Sequence, residues 1–389
     1  MVPVEKGIDS DDYRDYVIRD RRFIGALRTD RTNAEIIEAF IRGAGFTGIL
    51  AIYGRPWTDF ASHRFGLDYL EKQGIQVRKI SVSSETKLAL EELDSLDPAH
   101  TIIYSLLALS WGTLELYRAI KEGGFRTLVR HVDILPQPAR RVAPTVGSVG
   151  AWLKHRASGF IREHPDLFGI KPVDYLLVGG RRSIPNQSAP VGRTHLLRGH
   201  ASDYDTCIEM VRNGKAATQS ESFAVFLDSD DFHHPDLSGA GWSPPRWEQR
   251  YYARLGDFFR LLETSRGFPV RIAAHPLSGS LDGARFGGRE VIRGRTAELV
   301  RDSSVVIAHA STAVNIAVML GKPILFVTDS DYQGYYMGPW VEAMAAALGK
   351  KPISLDSASR ALDEVPQALE VDPSSYLKYI DLYIKGREG

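Results

Sequence analysis

Polar side chains that can bind a phosphorylated ligand follow three short apolar segments in the second half of the chain. They are Asp228, Asp230 and Asp231 after SFAVFL, His275 and Pro276 after VRIAA, and His309, Ser311 and Thr312 after SSVVIA. Apolar segments of this length, bounded by turn residues, predict buried strands. In open parallel sheets the ligand crevice lies outside the carboxyl ends of the strands. The pattern therefore predicts that the chemistry of this half collects at strand ends.

The Ser311-Thr312 pair is predicted to open a helix over residues 313–320, which ends at Gly321. Two hydroxyls and the unpaired N–H groups at the positive end of the helix dipole make an anion site suited to a phosphate. The alternative is that the pair only caps the helix. His275 either donates a hydrogen bond to a phosphoryl oxygen or a ribose, or it bonds the backbone. His309 either joins the site or packs beneath the turn.

The acidic stretch from Asp228 to Asp236, which includes His233 and His234, has three interpretations. Carboxylates and imidazoles this dense bind Mg²⁺, Mn²⁺ or Zn²⁺, but zinc ligands usually lie on rigid elements and this stretch is rich in Pro and Gly. The others are that it lines an interdomain cleft or forms a solvated loop. No residue is therefore assigned to a metal.

The first half of the chain alternates strands and helices with the spacing typical of a parallel, doubly wound sheet. Predicted strands cover residues 48–53, 75–82, 101–108, 127–135 and 173–178, and predicted helices cover 33–43, 65–73, 113–122 and 146–164. The polar residues 212–222 predict a linker. We expect a first domain over 1–214, a second over 215–372, and a helix within 373–389 that packs back on the first domain.

Composition limits the classes of protein that this chain can belong to. It has 389 residues, 43% of them hydrophobic and 25% charged, with 48 Lys and Arg against 48 Asp and Glu. These values are typical of a soluble two-domain protein. The equal numbers of positive and negative side chains predict no net electrostatic attraction for nucleic acid. The lone cysteine, Cys207, and the absence of an apolar leader or a run of about 18 apolar residues predict a cytoplasmic protein.

The segments FPVRIAAHPLS and SSVVIAHASTAVNIAVMLGKPILFVTDSDY carry a resemblance to a known class. A His-Pro after one strand, and a Ser-Thr turn before a helix, resemble the C-terminal domain of bacterial GT-B glycosyltransferases. The nearest groups are the sialyl- and Kdo-type transferases that use CMP-sugars and the CDP-glycerol polymerases of teichoic acid. The resemblance covers roughly Phe223 to Tyr336. It implies that His275 and Pro276 contact the nucleotide and phosphate, and that Ser311 and Thr312 bind phosphate.

The resemblance implies an α/β fold of two Rossmann-like, doubly wound domains facing a cleft, with the acceptor on the first domain and the donor on the second. The implied activity is an inverting, metal-independent transfer of a sugar to a glycan or lipid-linked acceptor, in O-antigen, capsule or lipopolysaccharide synthesis. No cofactor is expected besides the donor. CMP- or CDP-linked donors are favoured, and UDP- or GDP-sugars stay open. Peripheral contact with the inner membrane is expected, as is a donor-side role for His309 and Asp228.

The acceptor side requires a base, and the acidic-acidic-Gly base motif of the sialyl group is not visible in this sequence. General-base catalysis needs a carboxylate or imidazole close to the acceptor hydroxyl. Asp133, which lies near the end of a predicted strand, is the first candidate, and Asp59 is the second. Arg55, Trp57 and Trp111 are predicted to bind the acceptor, because aromatic rings stack on sugar faces.

Two other functions fit the same features. One is a nucleotide-sugar epimerase of the UDP-GlcNAc 2-epimerase type, which isomerises its donor with no acceptor present. The other is a non-catalytic nucleotide-binding subunit of a polysaccharide-assembly complex, which binds a nucleotide without turnover. The sequence has neither a Walker A pattern nor a GxGxxG after its first predicted strand, so ATP and NAD are poorly supported.

Overall fold

The computed structural model describes residues 27, 30–82, 86–139, 157–161, 164–170, 172–184, 194–214, 223–233, 244–278 and 283–386. The chain divides into two compact units. The N-terminal unit contains the described residues of 31–134, 148–205 and 382–389. The C-terminal unit contains those of 1–30, 135–147 and 206–381.

The N-terminal unit is built on a six-stranded parallel sheet. Its strands are β1 (Gly48–Tyr53), β2 (Gln76–Ser81), β3 (Thr101–Leu106), β4 (Arg126–His131), β5 (Tyr175–Val178) and β6 (His195–Arg198). Their order across the sheet is β2-β1-β3-β4-β5-β6. Its helices include α1 (Asn33–Gly43), α2 (Asp59–Arg64), α3 (Leu67–Lys72), α4 (Thr86–Asp94) and α5 (Leu114–Glu122), and α6 (Ser202–Arg212) carries the chain into the next unit.

The C-terminal unit has a second six-stranded parallel sheet, of order β12-β11-β10-β7-β8-β9. Its strands are β7 (Ala224–Leu227), β8 (Val270–Ala274), β9 (Val291–Arg293), β10 (Val305–Ala308), β11 (Ile324–Thr328) and β12 (Ile353–Ser354). Its helices include α7 (Glu248–Arg266), α8 (Thr296–Asp302), α9 (Val314–Met319), α10 (Ser330–Gln333), α11 (Gly338–Ala347), α12 (Ala358–Ala368) and α13 (Pro373–Tyr379). The central strands β7, β10 and β11 are buried along their whole length.

Local signals explain where several of these elements begin and end. Thr32 and Glu35 form a capping box at the start of α1, which satisfies two N–H groups that the helix leaves unpaired. The buried face of α1, at Ile37 and Ile41, packs into the core that includes β1. Helix α7 ends at Gly267, whose positive φ of 67° suits a residue without a Cβ.

The prediction of two doubly wound α/β sheets is confirmed, because both sheets are parallel and helices connect most of their successive strands. The bounds of α1, β1 and β8 agree with the sequence-based prediction. The predicted helix over 65–73 is wrong in detail, because Gly66 at φ 76° separates α2 from α3. Most of the predicted helix over 146–164 and of the linker over 212–222 lies outside the described residues.

The C-terminal segment contributes to both units. Tyr376 of α13 donates a hydrogen bond to the Lys322 carbonyl within the C-terminal unit at 2.9 Å. In the N-terminal unit, the Ala201 N–H donates to the Ile384 carbonyl at 2.8 Å. Within the part of the chain that the structure describes, no helix combines the length and the apolar character needed to cross a membrane.

Candidate functional site

The strand order of the second sheet reverses between β7 and β10. The chain enters the sheet at β7, runs outward through β8 and β9, and returns to β10 on the other side of β7. Strands β7 and β10 pair in parallel, with Leu227 opposite Ala308, so their carboxyl ends lie side by side. Such a switch point is where open α/β sheets bind their ligands. The residues that follow these two strands are Asp228 and His309.

Two carboxylates of the loop after β7 share one guanidinium, which comes from the turn Gly283–Phe286 that follows β8. Arg285 donates to Oδ2 of Asp228 at 2.7 Å and to Oδ1 of Asp230 at 3.2 Å. Asp230 is 1% exposed. Among the described residues it is the one non-glycine residue with a left-handed backbone, at a φ of 51°. Its Oδ2 atom, like Oγ of Ser229, is buried without a hydrogen-bond partner in that part of the chain. Arg285 therefore pairs with two carboxylates, and two buried oxygens, Oδ2 of Asp230 and Oγ of Ser229, are left without a hydrogen bond among the described residues.

This shortage of cations changes the acidity of Asp228. Burial is the largest influence and, with the charges of Asp230 and Asp231, outweighs Arg285 and raises the pKa of Asp228 to about 6. Burial acts to lower the pKa of the Arg285 guanidinium, but the charges of Asp228 and Asp230 outweigh it and raise that pKa. The raised pKa of Asp228 and the raised pKa of Arg285 are consistent with each other, because Arg285 lies beside more negative charge than it can neutralise.

His309 is the centre of a buried chain of hydrogen bonds. Its Nδ1 lies 3.0 Å from Oδ2 of Asp231, and its Nε2 bonds the hydroxyl of Tyr251. Tyr332 donates to the same Asp231 oxygen at 2.6 Å, and its ring stacks on the imidazole with centroids 4.8 Å apart. His309 is 4% exposed. The imidazole is therefore packed among buried side chains, and its expected donor-side role remains a prediction.

The turn after His309 presents the hydroxyls of Ser311 and Thr312, both of which are half-buried. Helix α9 begins one residue later than predicted, at Val314, and its N-cap is Ala313, with no side-chain cap. Oγ of Ser311 accepts from the Ala313 N–H at 3.3 Å. The two hydroxyls therefore do not cap the helix in the usual way. Their predicted role with phosphate remains a prediction.

His275 and Pro276 follow β8, the strand beside β7. Both residues are half-buried. The ring of His275 turns toward its own loop, where Nδ1 accepts from the Leu277 N–H at 3.2 Å. That backbone bond is the alternative that the sequence left open. A donor-binding role for this pair is likewise untested.

The first sheet reverses its strand order between β1 and β3. Arg55 and Trp57 follow β1, and Trp111 follows β3, so the three predicted acceptor residues follow the two switch-point strands. Trp57 is partly committed to packing, since its indole N–H donates to the Ile80 carbonyl at 3.0 Å and its ring contacts Phe65. Trp111 is 59% exposed.

The two candidate bases have different surroundings. Asp133 accepts from the Ser202 N–H at 2.7 Å and from its hydroxyl at 2.5 Å, and Arg64 lies 3.3 Å away. Burial acts to raise the pKa of Asp133, but the charges of Arg130 and Arg64 and the bonds from Ser202 hold it below its ordinary value. This environment stabilises the anion and makes it a weak base. Asp59, by contrast, is exposed at the first position of α2.

Sequence reasoning missed three residues of the C-terminal cluster. Arg285 lies in a short helical turn, Gly283–Phe286, far from Asp228 in sequence. Tyr251 reads as part of the apolar face of α7, and Tyr332 as part of a resemblance motif. No local pattern marks such partners.

Within the described residues, which leave out His234 and Asp236, no group of three or more His, Cys, Asp and Glu is placed to hold a metal ion.

No family model and no curated protein matches this chain. Solved structures do match over most of its length. The wall teichoic acid polymerase TagF is 16% identical, with 98% of this chain and 95% of that chain covered and a TM-score of 0.47. Acinetobacter baumannii MurG is 8% identical, with 86% and 94% covered and a TM-score of 0.41. The UDP-GlcNAc 2-epimerase of Methanocaldococcus jannaschii is 11% identical, with 86% and 98% covered and a TM-score of 0.43. These similarities assign no activity to the chain.

Proposed function

We propose that the protein is a glycosyltransferase that moves a sugar from a nucleotide-sugar donor to a glycan or lipid-linked acceptor in bacterial surface polysaccharide synthesis. The observation that carries this proposal is the switch point of the second sheet. The residues that the sequence predicts to bind the donor follow β7, β8 and β10, which are adjacent in that sheet.

The chemistry of these residues suits a phosphorylated sugar. The hydroxyls of Ser311 and Thr312 and the imidazole of His275 donate hydrogen bonds to phosphoryl oxygens. Such hydrogen bonds stabilise the negative charge of the phosphate as the leaving group departs. The carboxylates of Asp228 and Asp230 accept hydrogen bonds from ribose or sugar hydroxyls. Cytidine nucleotides are the preferred donors in this proposal.

The N-terminal unit supplies the acceptor side in this proposal. Arg55, Trp57 and Trp111 follow the two strands at its own switch point, and an exposed indole stacks on sugar rings. Asp59 is the better placed of the two candidate bases, because it is exposed and Asp133 is held as a stabilised anion. The transfer is inverting and metal-independent, and it takes place at the cytoplasmic face of the inner membrane.

Thermal unfolding in the presence of CMP, CDP, UDP, GDP or ATP tests the donor site. A nucleotide at about 100 times its dissociation constant adds roughly 2.7 kcal/mol to the free energy of unfolding. We expect one nucleotide to stabilise the protein, and His275→Ala and Ser311→Ala each to weaken the effect. The exposed residues His100 and Ser359 provide matched controls, because His100→Ala and Ser359→Ala leave the predicted site intact.

Product analysis separates transfer from the two alternatives. With the matching nucleotide-sugar, a transferase releases free nucleotide only when an acceptor is supplied, an epimerase yields an isomerised donor without any acceptor, and a binding subunit yields neither. No stabilisation by any of the five nucleotides would refute the donor site.

A further inference from the structure

The hydrogen bonds around His309 join three loops at the carboxyl edge of the second sheet. His309 lies between β10 and the Ser311-Thr312 turn, and Asp231 lies in the loop after β7. Tyr332 belongs to α10, which follows β11, and Tyr251 belongs to α7. These side chains therefore connect the turn that carries the two hydroxyls to both of its neighbouring loops and to a long helix.

The direction of each hydrogen bond follows from the chemistry of the groups. Burial raises the pKa of Tyr251 and that of Tyr332 well above their ordinary value, so both phenols keep their protons at neutral pH. Tyr332 donates to Oδ2 of Asp231. The imidazole donates from Nδ1 to that carboxylate, which leaves Nε2 to accept from Tyr251. Both ring nitrogens of His309 are then in use, Nδ1 as a donor and Nε2 as an acceptor.

Packing removes the remaining freedom of this ring. The His309 imidazole stacks on Tyr332, and the edge of Phe226 from β7 approaches it with centroids 5.3 Å apart. Tyr251 and Tyr332 also stack on each other at 5.1 Å. A ring that is buried, stacked and bonded at both nitrogens cannot rotate without breaking two hydrogen bonds.

We propose that Tyr251, His309 and Asp231 are positioning residues that hold the Ser311-Thr312 turn in the geometry that binds the donor phosphate. The geometry that carries this is the bridge from the end of β10 across the switch point to the loop after β7. The inference rests on the proposed function, because it assigns these residues to the same donor site. None of the three touches the ligand, and each acts through the turn.

Tyr251→Phe tests this role, because it removes one hydroxyl and keeps the ring. Tyr376→Phe is the matched control: it also removes a buried hydroxyl from the C-terminal unit, but that hydroxyl bonds the Lys322 carbonyl and not the switch point. We expect both variants to lose similar stability. Only Tyr251→Phe should raise the dissociation constant of CDP, by about tenfold, as measured by calorimetry well below the unfolding temperature.

A double-mutant cycle shows whether the effect passes through the turn. In a Ser311→Ala background, where the turn has lost its phosphate contact, we expect Tyr251→Phe to have less than about a threefold effect on CDP binding. Asp231→Asn keeps an acceptor oxygen for Tyr332 and His309, whereas Asp231→Ala does not. The Asp231→Asn variant should therefore bind CDP more tightly than the Asp231→Ala variant.

The possible outcomes separate this inference from the proposed function. If CDP and the other four nucleotides fail to bind the wild type, both are overturned. If CDP binds and Tyr251→Phe behaves like Tyr376→Phe, only the positioning role is overturned. The same conclusion follows if the Tyr251→Phe effect is unchanged in the Ser311→Ala background, because the hydroxyl would then act elsewhere.

Discussion

Asp133 and Asp228 are two carboxylates at strand ends, one in each unit, with opposite electrostatics. Asp133 follows β4 and receives two hydrogen bonds from Ser202 beside two arginines. Asp228 follows β7 and shares a single arginine with Asp230. The pKa of Asp133 is lowered and that of Asp228 is raised to about 6. The number of donors and cations for each carboxylate decides the sign of the shift, because both groups lose hydration on folding.

This contrast separates a carboxylate that is held as an anion from one that takes up a proton more readily. A carboxylate that is fully bonded contributes stability and little basicity. A carboxylate with a pKa near neutrality exchanges protons at physiological pH, which is a common property of functional sites. The strand-end position is the same in both cases, so position alone does not identify the functional group.

Removing the Asp133 carboxylate should have the largest effect. Asp133→Ala removes a negative charge that stabilises the Arg130 guanidinium and leaves the Ser202 N–H without its acceptor. We expect a loss of about 3 to 4 kcal/mol in the free energy of unfolding by urea. Asp94→Ala, an exposed substitution in the same unit, should change it by less than about 0.5 kcal/mol. A small loss for Asp133→Ala, with loss of turnover, would instead restore Asp133 as the base.

The pH dependence of stability should have opposite signs for the two carboxylates. The pKa of Asp228 is higher in the folded state than the ordinary 3.8, so its contribution to stability falls as pH rises from about 4 to about 6. A shift of two pKa units corresponds to at most about 3 kcal/mol. The difference in unfolding free energy between wild type and Asp228→Asn, measured at several pH values, should therefore decrease across this window.

Asp133→Asn provides the comparison for that experiment. The pKa of Asp133 is lower in the folded state, so its contribution is present above about pH 4 and is lost as pH falls through the folded value. The wild-type advantage over Asp133→Asn should therefore shrink on acidification, whereas the advantage over Asp228→Asn should grow. Equal slopes for the two variants would refute the contrast.

Ser202→Ala should have the smallest effect and sharpens the comparison most directly. It removes the hydroxyl that donates to Asp133 and accepts from Arg130, but it keeps the backbone N–H. We expect a loss of about 1 to 2 kcal/mol in urea unfolding. The loss should be smaller in an Asp133→Asn background, because the two groups share one hydrogen bond. Ser359→Ala is an exposed control.

Sequence patterns were informative where one segment decides its own structure. Helix α1 was predictable because Thr32 and Glu35 mark its start, and β8 because five residues between turn signals are mostly apolar. The edge strands β6, β9 and β12 have two to four residues and partly exposed patterns. These segments form strands because they pair with a neighbouring strand, and not because of their own composition. A local sequence pattern does not show which segments will pair.

The candidate site shows the same division. Asp228, His275 and His309 could be predicted as candidates because strand ends can be read locally and parallel strands align their carboxyl ends. Arg285 could not be found this way, because it comes from a turn 57 positions after Asp228. The burial of His309 depends on Tyr251 and Tyr332, which come from two different helices. Tertiary contacts therefore decide which strand-end residues face a ligand and which support the fold.

The parallel pairing of β7 with β10 also has a kinetic consequence. Val305 pairs with Ala224, so the switch point closes a loop of roughly eighty residues, whereas an antiparallel hairpin closes only a few. Contacts between distant parts of a chain form slowly, and they form after the local helices. During synthesis, the loop after β7 leaves the ribosome well before its partner strand exists. We therefore expect the edge of this unit that carries the proposed donor site to be among its last regions to acquire protection in pulsed hydrogen exchange.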